Sequence, residues 1–259
     1  MIKKAIRYTV VGVIWLALWQ IVAMIVDQEL LFPAPLPVLS RIGEFLITPD
    51  FYKTVGISLL RVLAGMLAGI LIGIFGGVTC RISRFARDFF TPMLAIIKST
   101  PVSSFIILLV LWLSRDVTPM VISAIMVVPV VWANIDAGIA QTDSSLLEMS
   151  KVYGMSPFKR VTDIYVPSVY PYFLSAMRSS LGMAWKAGIA AEVLLQPIIS
   201  VGKQIFESKY MLETRDLFAW TVVVIILSVL IELLLVLVFK RAAKRYSLSE
   251  KGGESDGRI

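Results

Sequence analysis

Apolar residues in this chain come in long runs separated by polar stretches, with neither the two-residue alternation of strands nor the narrow stripe of a soluble amphipathic helix. Six runs stand out, at about 8–26, 56–80, 89–113, 117–140, 171–195 and 217–239. Each is close to the roughly 20 residues that a helix needs to cross the hydrocarbon core of a bilayer. No water is present there to satisfy backbone groups, so such runs fold as helices. The pattern predicts an all-α integral membrane protein with about six transmembrane helices and one domain over 1–246. The polar, Gly/Ser-rich tail, 247–259, is expected to be disordered.

The breaks are informative too. Lys3, Lys4 and Arg7 precede the first run, as in a signal peptide. The run is long for that role and no small-x-small cleavage site follows, so it reads as a retained first span. Pro33, Pro35 and Pro37 mark the first connection, followed by a short amphipathic helix at about 38–48. Gly65, Gly69, Gly73, Gly76 and Gly77 recur at spacings of three and four in the second run, a small-residue face that lets another helix approach. Two readings of it stand: packing within the chain, or a seam between copies. Pro92, Pro101 and Pro129 fall inside the third and fourth runs, where freed carbonyls must face protein or water.

Composition narrows the picture. The 259 residues are 58% hydrophobic, against about 45–50% in a soluble domain, and mean hydropathy is +0.83. The net charge of +7 would suggest nucleic acid in a soluble protein, but here the basic residues gather on one side of the spans. With the N-terminus inside, thirteen lysines and arginines flank the spans inside and six outside. Both termini are therefore expected in the cytoplasm, together with the polar segment 141–170. There is one cysteine, Cys80, and no histidine. Disulfides within the chain, histidine-based metal sites and Ser-His-Asp triads are excluded. No G-x-x-x-x-G-K-[ST] loop is present to hold ATP.

Segment 141–170 is the longest polar stretch between two spans. Asp143 or Ser144 is placed to cap a short helix carrying Glu148. Gly154 suits a left-handed turn, Pro157 suits the start of a second helix, and Pro167 is expected to end it. The spacing Glu148-x5-Gly154-x9-Ile164-x-Val166-Pro167 resembles the EAA loop of the inner-membrane permease subunits of ATP-driven, binding-protein-dependent transporters. The resemblance extends over about 30–240. Leu31 to Pro37, Ser58-Leu59-x-Arg61-Val62-x-x-Gly65, Pro101 with Trp112, and Trp185 with Ala190-Ala191-Glu192 are similar to the branch serving nitrate, taurine and alkanesulfonate importers. Ser104 and Ile107 depart from that branch's pattern.

The resemblance implies a permease in a bacterial-type inner membrane, with Glu148, Ser150, Tyr153, Gly154, Pro157, Ile164 and Pro167 forming the coupling helix and its supports. It implies two copies of an ABC ATPase carrying ATP and Mg, an external solute-binding protein, surrounding membrane lipid and a second permease copy. Neither cofactor nor metal is expected on this chain, nor any nucleic acid. A small anionic or polar organic solute, sulfonate-, taurine- or nitrate-like, is the expected cargo.

Charges inside spans are costly and default to function. Lys186 and Glu192 share the fifth run, roughly 120° apart around the helix, too far round to pair. Lys186 serves either a solute path or an ion pair with Asp136 or Glu232. Ser103, Trp112, Asn134, Trp185, Lys186 and Glu192 are the candidate path residues, with helix–helix hydrogen bonding the competing role of Ser103 and Asn134. A rival reading is a stand-alone secondary transporter or channel using Lys186 and Glu192 as a charge relay.

Overall fold

The structure is a computed structural model that describes residues 2–255, and every regular element among them is helical. In chain order these are α1 (Ile2–Val26), α2 (Pro35–Ile47), α3 (Pro49–Ile82), α4 (Arg84–Ser99), α5 (Val102–Leu109), α6 (Thr118–Ala140), α7 (Ser144–Val152), α8 (Pro157–Arg160), a π-helical turn (Val161–Tyr165), α9 (Val166–Leu195), α10 (Val201–Tyr210) and α11 (Thr214–Ser255). α11 continues into the stretch expected to be a disordered tail, since adding residues to a formed helix is easy; residues 256–259 lie outside the described residues.

Among the described residues four helices are long and apolar enough to span a membrane: Thr9–Val26 of α1, α3, α6, and Thr214–Leu234 of α11. Counting the bent pair α4–α5 as one span makes five. Two of the six predicted runs depart from a single uniformly apolar helix. The third is not one helix, because α4 and α5 meet at a bend of 103°. Thr100 is extended ahead of Pro101, since a proline ring disfavours helical geometry in the residue before it. The fifth run is a 30-residue helix, but Arg178, Lys186, Glu192 and its serines, tyrosines and prolines leave it less apolar than the others.

The chain divides into two compact units. One comprises residues 1–60 and 192–227. Aromatics tie its elements: Trp19 stacks on Phe218 at 6.1 Å, and Trp220 stacks on Phe45 and Phe51 at 4.9 and 5.5 Å. The Trp19 indole N–H donates to Pro33 O at 3.1 Å. Arg41 of α2 holds Asp216 with two hydrogen bonds of 2.7 and 2.8 Å and also bonds Glu44. These carboxylates raise the guanidinium pKa above its ordinary value, Asp216 most.

The other unit comprises residues 61–191 and 228–259. Here the glycine face of α3 is filled by α6. A Cβ on Gly65 would sit 2.0 Å from Met120 O, and one on Gly76 would sit 2.1 Å from the Trp132 ring. The glycine face therefore serves packing within the chain. Gly188 brings α9 against Val62 and Ser123 in the same way. Ser123 Oγ lies 3.1 Å from Ala184 O, one buried polar tie across that contact. Arg87 of α4 pairs with Asp136 of α6 at 3.3 Å.

Candidate functional site: the polar loop and the open face of α9

Local chemistry builds the loop. Asp143 is the N-cap of α7 and accepts from the Ser145 amide at 2.8 Å, which holds its carboxyl pKa below the ordinary value. Glu148 sits mid-helix and exposed, while Ser150 is buried and donates to Leu147 O at 2.7 Å. The helix closes with Tyr153 N on Met149 O at 3.0 Å, Gly154 N on Lys151 O at 3.1 Å and Met155 N on Ser150 O at 2.9 Å. Gly154 takes φ +63°, the left-handed conformation that ends helices and that side chains with a Cβ resist. Ser156 then caps α8 through the Lys159 amide at 3.3 Å, with Pro157 in the first turn.

Pro167 does not end this second helix. It lies in the first turn of α9, where a missing N–H is tolerated. The π-helical turn before it, closed by Val166 N on Val161 O, absorbs the change and lets the chain run from α8 into α9. Ile164 within that turn is buried and Pro167 is exposed. The loop thus has an anchored inner side, Ser150 and Ile164, and an open tip. The tip is apolar: Val152 is 84% exposed, Tyr153 79% and Phe158 77%. Sequence spacing picked out Tyr153 but not Val152 or Phe158, whose signal was apolarity within an otherwise polar segment.

The candidate path residues separate. Trp185 is buried, its neighbour Lys186 exposed. Among the described residues Lys186 makes no ion pair, and Asp136 is paired with Arg87 instead. Ser103 and Trp112 are exposed. Asn134 is half-buried and donates to Val130 O of its own helix at 2.9 Å, not across helices. Glu192 is fully buried. It accepts from Ser58 Oγ at 2.7 Å and from the Gly202 amide at 3.3 Å. Ser58 Oγ in turn accepts from the Val201 amide at 2.9 Å. The Glu192 carboxyl group thus sits at the N-terminus of α10, where backbone amides point at it. Ser58 and Gly202 went unnoticed as its partners because the contacts join distant parts of the sequence.

Beside Lys186, α9 exposes Ser175, Arg178, Ser179 and Ala190, and a Cβ on Gly182 would meet nothing within 4 Å. These positions fall on one side of the helix at spacings of three and four. A small, polar, cationic stripe in a membrane helix is poorly suited to lipid.

Residues 65–247 match the profile of the binding-protein-dependent transport system inner membrane component family. The chain belongs to that family. The permease is similar to a protein named as the aliphatic sulfonates transport permease SsuC of Bacillus subtilis (strain 168), 23% identical over 210 residues, covering 80% of this chain and 76% of that one. It is also similar to the nitrate import permease protein NrtB of Synechococcus elongatus, 27% identical over 204 residues, covering 74% and 73%. Among solved structures, an amino acid ABC transporter matches with a TM-score of 0.60 at 16% identity, covering 80% of this chain and 97% of that one. The methionine transporter MetNI matches with a TM-score of 0.57 at 16% identity, covering 73% and 93%. These likenesses agree with the helical fold, and with the family they make this chain a transmembrane permease subunit of an ABC importer.

Proposed function

We propose that the loop 141–170 is the coupling element of this permease, docking its tip into a separate ABC ATPase that carries ATP and Mg, with one ATPase on each of two permease copies. The observation that carries this reading is the exposed apolar tip, Val152, Tyr153 and Phe158, presented by a capped turn whose other side is anchored by Ser150 and Ile164. An apolar tip rimmed by Glu148, Lys151 and Lys159 has the makeup of a protein interface. Both termini and this loop lie in the cytoplasm on this reading, in line with the basic residues, and an external binding protein delivers solute from the opposite side.

Co-expressed with its ATPase, the permease should co-purify with it. Val152→Asp with Phe158→Asp should abolish co-purification while leaving membrane insertion intact. Undiminished capture of the ATPase by the double variant would refute the docking surface.

The open stripe of α9 supports a second element of the proposal. One copy exposes it without cover, so it suits a water-filled path shared with a second copy. Lys186 on that stripe favours small anionic solutes, in keeping with the sulfonate and nitrate named for the relatives. Lys186→Met should abolish transport and spare assembly. Normal transport by that variant would remove the lysine from the path. The rival charge relay through Lys186 and Glu192 is disfavoured, because Ser58 and the Gly202 amide already engage the Glu192 carboxyl group.

A further inference from the structure

One apolar cavity lies outside the transport reading. Between α3 (Ile74, Val78), α6 (Ile135, Ile139) and the start of α9 (Val169, Phe173) lies an apolar groove of about 290 Å³. Val161 and Tyr165 of the π-helical turn complete its lining, so the groove sits where the loop rejoins the membrane helices. Around it the surface stays apolar, with Phe75, Ile82, Val161 and Val166 exposed. The groove is thus continuous with surface that meets hydrocarbon in a spanning protein.

Two arginines border the lining residues along the chain. Ile74, Val78 and Arg81 stand at i, i+4 and i+7, so they share one face of α3, and Arg81 follows the groove wall by about one turn. Arg160 immediately precedes Val161, and its Nε is buried without a hydrogen-bond partner. Among the described residues neither arginine forms an ion pair. The nearby Asp163 does not satisfy them; it accepts from Thr162 Oγ1 at 2.7 Å.

We propose that the groove holds an acyl chain of one anionic phospholipid, with its phosphate between Arg81 and Arg160. The lining is wholly apolar and opens onto surface that meets hydrocarbon in a spanning protein, where a slender acyl chain is the occupant at hand. The cations select an anionic headgroup, since guanidinium forks match phosphate oxygens.

The test is native mass spectrometry of the full chain taken from bilayers of equimolar phosphatidylglycerol and phosphatidylcholine with matched acyl chains. At about fivefold per arginine near the membrane surface, two arginines give roughly 25-fold enrichment of retained phosphatidylglycerol. Arg81→Gln or Arg160→Gln should each cut the enrichment about fivefold, and the double variant should remove it. Val169→Trp, which fills the groove and leaves both arginines, should lower retention of both lipids. No enrichment in the unmodified chain overturns the proposal without any variant. Enrichment unchanged in the double variant, or retention unchanged in Val169→Trp, overturns it as well.

Discussion

Gly154 gives the most discriminating experiment on the coupling loop. Its φ of +63° lies in the left-handed region, yet a Cβ there would meet nothing within 4 Å. Steric crowding and backbone strain, usually confounded in glycine substitutions, are therefore separated at this position. Replacing Gly154 by an L-residue costs roughly 1–2 kcal/mol in left-handed backbone strain, more for a β-branched residue and less for asparagine, which tolerates this conformation. The strain opposes the turn that presents Val152, Tyr153 and Phe158, and threatens the Met155 N to Ser150 O bond of 2.9 Å.

If the ATPase binds only the native turn, apparent affinity falls with the fraction of molecules that keep it. A strain of 1–2 kcal/mol then weakens binding by up to about 5- to 30-fold. The expected order of affinity is Gly154, Gly154→Asn, Gly154→Ala, Gly154→Val. Binding of the purified ATPase to nanodisc-embedded permease, measured by surface plasmon resonance, reads this order directly. Asparagine is larger than alanine, so strain and size predict opposite ranks for that pair. If affinity instead follows side-chain volume, or all four proteins bind alike, the turn is not what presents the tip.

Other expectations follow from single contacts. Gly65→Ala adds a Cβ 2.0 Å from the Met120 carbonyl oxygen; about 1–3 kcal/mol of overpacking outweighs roughly 0.5–1 kcal/mol of helix propensity gained, so thermal stability in detergent should fall, while Gly56→Ala, in open space, should hold or raise it. Ser58→Ala strips a donor from Glu192 and an acceptor from the Val201 amide, both buried, and should cost about 1–3 kcal/mol; a melting curve matching the unmodified protein would contradict the network. Asp143 has a lowered pKa because the Ser145 amide binds its ionised form. Its stabilisation of α7 is complete above the ordinary carboxylate range and is lost as pH falls through the lowered folded value. The Ser145 amide resonance should accordingly titrate with a midpoint below that of an unconstrained aspartate, and a midpoint at or above it would deny the cap a charged partner.

How much of the fold was legible follows from the kind of signal each element leaves. α1, α3, α6 and the first part of α11 cover predicted runs because apolarity alone specifies a membrane helix. The third run failed because hydropathy is blind to direction: the residues on both sides of Thr100–Pro101 are apolar, yet the backbone turns by 103° there. Pro167 misled for a related reason. A proline stops a regular α-helix, but a π-helical turn ahead of it supplies another way through, and no local composition announces that turn. The caps of the loop were easier, since Asp143, Gly154 and Pro157 act within a few residues of their own position.

Site residues were legible where function depends on local conformation and obscure where it depends on which way a helix turns its faces. On α9, Trp185 and Lys186 are adjacent in sequence, yet one is buried and the other exposed. Membership of a span could not separate them, but periodicity from the buried Ala184, Ala187, Gly188 and Ala191 could have. Once those residues fix the inward face, Ser175, Ser179, Gly182 and Lys186 fall opposite. That outward face bears on assembly. A lone ammonium at mid-bilayer would cost about 2.5–3.5 kcal/mol on insertion scales, so an exposed lysine on this face calls for water or a partner. On the proposed reading lipid offers this face nothing in return, whereas water between two copies would hydrate the ammonium and leave it open to a passing anion.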